Sequence, residues 1–224
     1  MSKAFLDVKI SHVVAARLAA VGSGNQGQMH TTNEYDGQGP DTSRVVDWTR
    51  SVERSAGLDG LVGLVRPVAD AVVANPRVRD LLHGMWLGHA LHPVLTDVTI
   101  GFWASANVLD LVGGQQSRPA AHQLVGLGLL SAVPTAVTGL SEWAGTGPRE
   151  QRVGVVHAGS NTVALSLYAA SWLARRNNRH ARGVVLGLAG SAAATLGGYL
   201  GGHLAAVRKV SSTHPGFEDP AAVQ

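Results

Sequence analysis

The sequence predicts an all-α fold, in which an integral membrane bundle of four helices follows an N-terminal amphipathic helical appendage. Only 15% of the 224 residues are charged, and residues 183–207 contain no charged residue. Four apolar segments of 17–25 residues follow one another in the C-terminal part. Each is long enough to cross the ~30 Å hydrocarbon layer of a bilayer as a helix. Because the connections are short, neighbouring helices are expected to be antiparallel.

The four apolar segments cover residues 94–113, 124–140, 153–174 and 183–207. Pro93 opens the first segment, where a proline suits the first helical turn. Pro134 is expected to kink the second segment. In the fourth segment, small residues recur every four positions and predict a smooth face for close helix packing. These residues are Gly190, Ala194, Gly198 and Gly202.

A weak internal repeat relates the first two segments to the last two. His92 precedes the first segment and His157 opens the third, and Gly139 and Gly198 follow these histidines at similar distances. A duplication would give two helical hairpins in parallel orientation, with a site on their pseudo-twofold axis. Similar low-complexity helices would produce the same pattern, so both interpretations stay open.

The N-terminal part differs in composition from the apolar segments. Residues 1–43 are polar and glycine-rich, which predicts a flexible tail. Residues 44–82 predict two amphipathic helices that break at Gly57 and end at Pro76. They would lie on the membrane surface, cap the bundle or form a small soluble hairpin. The membrane domain is expected at residues 83–208, followed by a C-terminal tail at 209–224.

Composition excludes several classes of function. The chain has no cysteine, which excludes disulfides, cysteine-ligated zinc, an iron–sulfur cluster of its own and thiol catalysis. The net charge of +3 is small, and the high sequence pI comes largely from arginines at the ends of apolar segments, as in membrane proteins. We therefore expect the lipid bilayer, and no nucleic acid, as a partner. No Walker loop, GxSxG or HExxH motif supports an ATPase or hydrolase.

Polar side chains from all four helices are expected at one depth. If both ends of the bundle domain lie on one side, here called side A, each helix brings ionisable or polar groups towards that side. Such groups inside a membrane are costly and usually face the bundle interior, which makes them candidates for function. The candidates are His89, His92, Asp97, Glu142, His157, Asn161, Tyr199 and His203.

Three interpretations of this cluster compete. His92, His157 and His203, with Asn161 and Tyr199 beside them, would bind a cofactor such as haem b. A divalent metal would instead use histidines and carboxylates, with Asn161 in the outer shell. Its candidate ligands are His89, His92, Asp97, Glu142, His157 and His203. In the second interpretation a histidine and a carboxylate exchange protons with a quinone. In the third, the groups only cap helices and hydrogen-bond one another.

The run from Leu87 to Gly101, LGHALHPVLTDVTIG, resembles the opening motif of an uncharacterised bacterial membrane-protein family of unknown function. Residues 134–140, 156–161 and 199–204 are similar to its later motifs, so the resemblance covers about residues 80–207. Glu142 stands before Trp143 where the family commonly has Asp. The high content of Ala, Gly and Arg is similar to that of actinobacterial proteins.

The resemblance implies a four-helix membrane fold in a redox setting, because relatives are often associated with Rieske iron–sulfur or cytochrome c modules. It therefore implies haem or quinone, with any Rieske partner a separate protein. We expect a multi-pass plasma-membrane protein with cytoplasmic termini, redox-associated through haem b or quinone. The alternatives are a non-catalytic membrane anchor or scaffold for a Rieske-type partner, and a metal-dependent membrane enzyme. A homo-oligomer and catalytic activity both stay open.

Overall fold

The computed structural model describes residues 43–212 and 214–217, which form helices joined by short turns without a strand among them. This confirms the all-α class. The predicted flexible tail, apart from Ser43, lies outside the described residues, as does part of the C-terminal tail. The α-helices are α1 (Arg44–Arg54), α2 (Asp59–Val73), α3 (Pro76–Leu82), α4 (Leu91–Val112), α5 (Arg118–Ala144), α6 (Pro148–Arg176) and α7 (His180–Gly202).

Proline and polar caps determine several helix boundaries. Pro148 lies in the first turn of α6, where its missing N–H group removes no intrahelical bond. The same rule makes Pro76 begin α3, where it was expected to end a helix, and the Asn75 side chain accepts the Arg77 amide at 2.9 Å. Residues 44–82 thus contain three α-helices where the sequence predicted two. Pro134 lies within the continuous helix α5.

Helices α4 to α7 form two antiparallel hairpins. The start of α4 touches the end of α5, where His92 Nδ1 lies 2.9 Å from the Thr135 carbonyl oxygen. The start of α6 touches the end of α7 in the same way, where His157 Nδ1 lies 2.8 Å from the Gly197 carbonyl oxygen. Between the hairpins, the rings of Trp103 and Tyr168 stack with centroids 4.1 Å apart.

The glycine face of α7 differs from the predicted one. Gly190 does pack closely, because a Cβ there would lie 2.9 Å from the Tyr168 ring. No atom within 4 Å would meet a Cβ at Gly198 or Gly202, and the close contacts are made by Gly197 and Gly201. The prediction is wrong for Gly198 and Gly202, because a strict spacing of four drifts about 40° per step around a helix with 3.6 residues per turn.

The long helices bury polar residues beside an apolar core and expose large apolar residues. Buried polar residues include Thr99, Asn107, Thr138, Ser141 and Ser171. Exposed apolar residues occur on all four helices, among them Val108, Leu111, Leu130, Val133, Val163, Leu173, Val185 and Leu196. By length and composition, two helical stretches of the described chain could cross a membrane, Gln115–Ala144 and His180–Val207.

Helices α1 and α2 cover one end of the long helices. Val52 of α1 packs with Val153 of α6 and Leu200 of α7. The guanidinium group of Arg152 donates to Asp59 at the start of α2, with Nε 2.7 Å from Oδ1. This hydrogen bond lowers the pKa of the Asp59 carboxyl. We call α1 and α2 the cap, and the covered end is side A.

Candidate histidine site between the helical hairpins

His92 joins α4 to α5. A carbonyl oxygen only accepts hydrogen bonds, so His92 Nδ1 carries the proton that it donates to Thr135. The ring lies against Gly139, where a Cβ would come within 2.7 Å of His92 Cε1. His92 Nε2 is 3.5 Å from the Thr96 hydroxyl, which is at the limit of a hydrogen bond. The imidazole thus binds the backbone of the neighbouring helix and keeps one nitrogen almost free.

His157 repeats this arrangement between α6 and α7. Its Nδ1 donates to the Gly197 carbonyl, and the ring lies against Gly201, where a Cβ would be 3.0 Å from His157 Cε1. Because Nδ1 holds the proton, Nε2 accepts a hydrogen bond, which Asn161 Nδ2 donates over 3.0 Å. Asn161 follows His157 by four residues, as Thr96 follows His92.

Further residues of the hairpin formed by α4 and α5 correspond to residues of the hairpin formed by α6 and α7. Trp103 and Tyr168 each lie 11 residues after the histidine of their own helix, and the two rings stack on each other. The glycine that contacts each histidine follows the carbonyl that accepts its proton by four residues. The equivalent of Gly139 is therefore Gly201, three residues beyond the predicted Gly198. These matching contacts and spacings agree with the internal repeat that the sequence suggested, in a different register.

A buried ion pair closes the far end of the bundle interior. Arg175 Nη1 donates to Asp110 Oδ1 over 2.8 Å, and each side chain is only 1% exposed. Arg175 also donates to Ser171, and His180 Nε2 lies 3.7 Å from Asp110 Oδ1. The sequence analysis missed this pair, because the predicted third segment ends at residue 174, one residue before Arg175. The signal that could have found it is spacing, since Asp110 and Arg175 both lie 18 residues after the histidine of their helix.

His203 and Tyr199 contact the cap. His203 Nε2 is 2.8 Å from Glu53 Oε1, and the Tyr199 hydroxyl is 2.9 Å from the Thr49 hydroxyl. Arg208 lies beside the same Glu53 carboxylate, with Nε at 3.8 Å. These contacts bind α1 to the end of α7. His203 therefore does not have the role that His92 and His157 share.

The remaining predicted ligands lie apart from one another. His89 Nδ1 bonds to the adjacent Ala90 carbonyl at 3.1 Å. Glu142 Oε2 accepts from the amide and the hydroxyl of Ser212, while its Oε1 is buried without a partner among the described residues. Asp97 is exposed on α4, where no hydrogen bond or ion pair joins it to another described residue.

The positions of these donor groups suit some of the expected cofactors better than others. In residues 43–212 and 214–217, no three His, Asp or Glu side chains gather as a metal ion requires. A haem iron with two histidine ligands needs a free nitrogen on both rings, and Asn161 occupies Nε2 of His157. The residues therefore do not fit axial haem ligation unless Asn161 moves away. The second N–H group of the Asn161 amide is a donor of the kind that a quinone carbonyl requires, whereas the Thr96 hydroxyl donates to the His92 carbonyl over 2.9 Å.

Comparison with known proteins gives one informative match. The family model described as "Predicted membrane protein (DUF2231)" matches residues 88–214, which is more than half of the chain and contains α4 to α7 with both histidine contacts. No curated protein and no solved structure matches the chain significantly. The chain therefore belongs to this family of predicted membrane proteins of unknown function.

Proposed function

We propose that this chain is a multi-pass membrane scaffold of the plasma membrane, in which α4 to α7 cross the bilayer and the cap lies on the cytoplasmic side. The observation that carries the proposal is the distribution of polarity, with large leucine and valine side chains exposed on all four helices and hydrogen-bonded polar groups buried beside the apolar core. A soluble bundle instead places most of its polar residues outside and its large apolar residues inside. In a membrane, polar and closely packed small residues hold helices together, since lipid tails are as apolar as leucine.

Helix lengths support four crossings. The four helices contain 22, 27, 29 and 23 residues. At 1.5 Å per residue, each is as long as a typical hydrocarbon layer of ~30 Å is thick. The polar interior of α4 and α6 lowers their hydropathy, yet their outer faces carry Val108, Leu111, Val163 and Leu173. Two hairpins then bring both ends of this domain to one side.

In this proposal the two histidine contacts join the helices within each hairpin. Both imidazoles donate to a backbone carbonyl and contact a glycine of the neighbouring helix, which fixes the register of the hairpin. The partner of such a scaffold would be another membrane protein. A separate redox protein of the Rieske type, which the sequence resemblance implied, is the proposed class.

A quinone site is the second candidate, and the free Nε2 of His92 favours it. A ring that donates through Nδ1 to a carbonyl is held in a fixed tautomer and orientation, as ligand-binding histidines are. His92 with Thr96 and His157 with Asn161 are equivalent pairs of the two hairpins. A quinol bound between them would donate a hydroxyl proton to His92 Nε2, and a quinone carbonyl would accept from the Asn161 amide.

The topology is tested with single cysteines, because the chain contains none. Cysteines at Gly114, Thr146 and Asn178 lie in the three connections between the long helices, and a membrane-impermeant maleimide reports their side. We expect positions 114 and 178 to be labelled from one side and 146 from the other. Equal labelling of 114 and 146 from the same side would contradict four crossings.

The cofactors that remain bound to the purified protein distinguish the candidate functions. The scaffold predicts no Soret band in oxidised or reduced spectra and no quinone extracted in stoichiometric amount. A bound quinone that His92→Ala removes, while His89→Ala retains it, would favour the second candidate. A Soret band that His92→Ala and His157→Ala both remove would restore the haem expectation and contradict the scaffold.

A further inference from the structure

Helix α2 has two unlike flanks beside the face that packs on the bundle. At 100° per residue, Val62, Val65 and Ala69 form the inner face, and Ala69 is fully buried. Leu61, Leu64 and Val68 lie on one flank of this face and are 52%, 73% and 57% exposed. The opposite flank carries Asp59, Arg66 and Asp70.

Contacts of the charged flank fix the rotation of α2 about its axis. Asp59 accepts from Arg152, and Arg66 Nη1 lies 3.3 Å from Gln151 Oε1 at the start of α6. Arg66 also lies 3.7 Å from Asp70. Since these contacts and Ala69 hold one side of the helix, the apolar flank stays turned outward.

The apolar flank continues into the outer surface of α6 and α7. Leu61 lines a groove of about 400 Å³ together with Val155, Val163 and Leu196, above small residues such as Gly159. In the proposed membrane arrangement this groove faces lipid. The exposed flank of α2 and the groove therefore adjoin at Leu61 and form one apolar surface.

We propose that α2 is an interfacial helix whose flank of Leu61, Leu64 and Val68 inserts into the lipid of the side A leaflet. This rests on the proposed membrane bundle. An amphipathic helix of this kind lies in the membrane plane with its apolar side ~5–10 Å into the boundary between headgroups and acyl chains. The charged flank faces water, where the pair of Asp59 and Arg152 is hydrated.

The absence of cysteine allows a direct test in the full-length protein. Leu64→Cys and Asp70→Cys place one fluorescent label on each flank of α2, and Leu130→Cys places it on α5, where the side chain is 71% exposed. Each protein is reconstituted into vesicles of phosphatidylcholine and phosphatidylglycerol. Quenching is measured with lipids spin-labelled near the headgroup end of the acyl chain and with aqueous iodide.

We expect the lipid quencher to act severalfold more strongly on position 64 than on 70, and iodide to show the reverse order. Equal iodide quenching at 64 and 70, with position 130 quenched by lipid, would overturn the interfacial helix while leaving the bundle intact. Protection of position 64 from both quenchers would also overturn it, because a protein such as a second copy would then cover the flank. Failure of lipid to quench position 130 would overturn the membrane bundle and this inference together.

Discussion

Single glycines decide whether the two histidines can bind the neighbouring helix. Gly139→Ala would place a methyl group 2.7 Å from the His92 ring. We expect it to lower the free energy of unfolding by about 1–3 kcal/mol, as overpacking does. Gly198→Ala is the matched control on α7, because its Cβ meets open space.

The control is expected to be neutral or to stabilise by about 0.5–1 kcal/mol, since alanine costs less backbone entropy than glycine in a helix. Thermal unfolding in detergent measures both variants. A Gly139→Ala protein as stable as Gly198→Ala would show that His92 can leave its carbonyl without cost.

Removing the charge of each of the two acidic residues of α4 is expected to change the stability of the protein in opposite directions. Asp110→Asn leaves the Arg175 guanidinium buried without its counter-charge, which costs about 3–5 kcal/mol. Asp97→Asn removes a carboxylate that has no partner among the described residues, from an outer surface that also carries Val94 and Val98, 41% and 43% exposed. It should stabilise the bilayer-embedded protein, by less than the ~2.5–3.5 kcal/mol that an Asp costs at the centre of a membrane helix.

Unfolding in bicelles compares these two variants with the wild type. Destabilisation by Asp97→Asn would mean that a polar partner covers Asp97 in the membrane.

Among elements, α1 depends on few polar contacts for its position. We expect His203→Ala to speed amide hydrogen exchange throughout Arg44–Arg54, because it removes the bond to Glu53 and leaves that carboxylate near Arg208 alone. His89→Ala serves as the control, since the His89 ring bonds only to its neighbour Ala90. Unchanged exchange in α1 would show that the apolar contacts of Val52 suffice.

Helix α2 is expected to loosen in acid. The pKa of Asp59 is lowered by its hydrogen bond with Arg152, so the pair contributes fully above the ordinary carboxyl value of 3.8. That contribution is lost as the pH falls through the lower value of the folded protein. A label at position 64 should gain mobility over this range, and Asp59→Asn should abolish the change. Because the pair is exposed, salt should weaken the effect.

For the whole molecule, pseudo-symmetry predicts that the buried charges can be exchanged. Asp110→Arg alone places two arginines in contact, and Arg175→Asp alone places two carboxylates in contact. The double variant restores an ion pair between equivalent positions of α4 and α6. We expect its unfolding temperature to exceed that of either single variant. A double variant no more stable than the worse single one would mean that the two positions are not interchangeable.

Particular residues show which features of the fold and of the candidate site could be predicted from the sequence. The existence of the helices followed from local properties, namely long apolar runs and Pro93 in a first turn. The pairing of His92 with His157 was also detectable, because each is followed by an aromatic residue and an ionisable residue at the same spacing. The role of His203 was not detectable, because its partner Glu53 lies 150 residues away on another helix.

The amino-acid sequence by itself determined the all-α class, the four long apolar helices and the chemical types of the buried groups. Only the tertiary structure decided which groups meet. It aligned Asp110 with Arg175, separated the predicted metal ligands and placed Gly201 rather than Gly198 against a histidine. The physical reason is angular: each residue turns a helix face by 100°, so a shift of one residue in packing sends a side chain to a different neighbour.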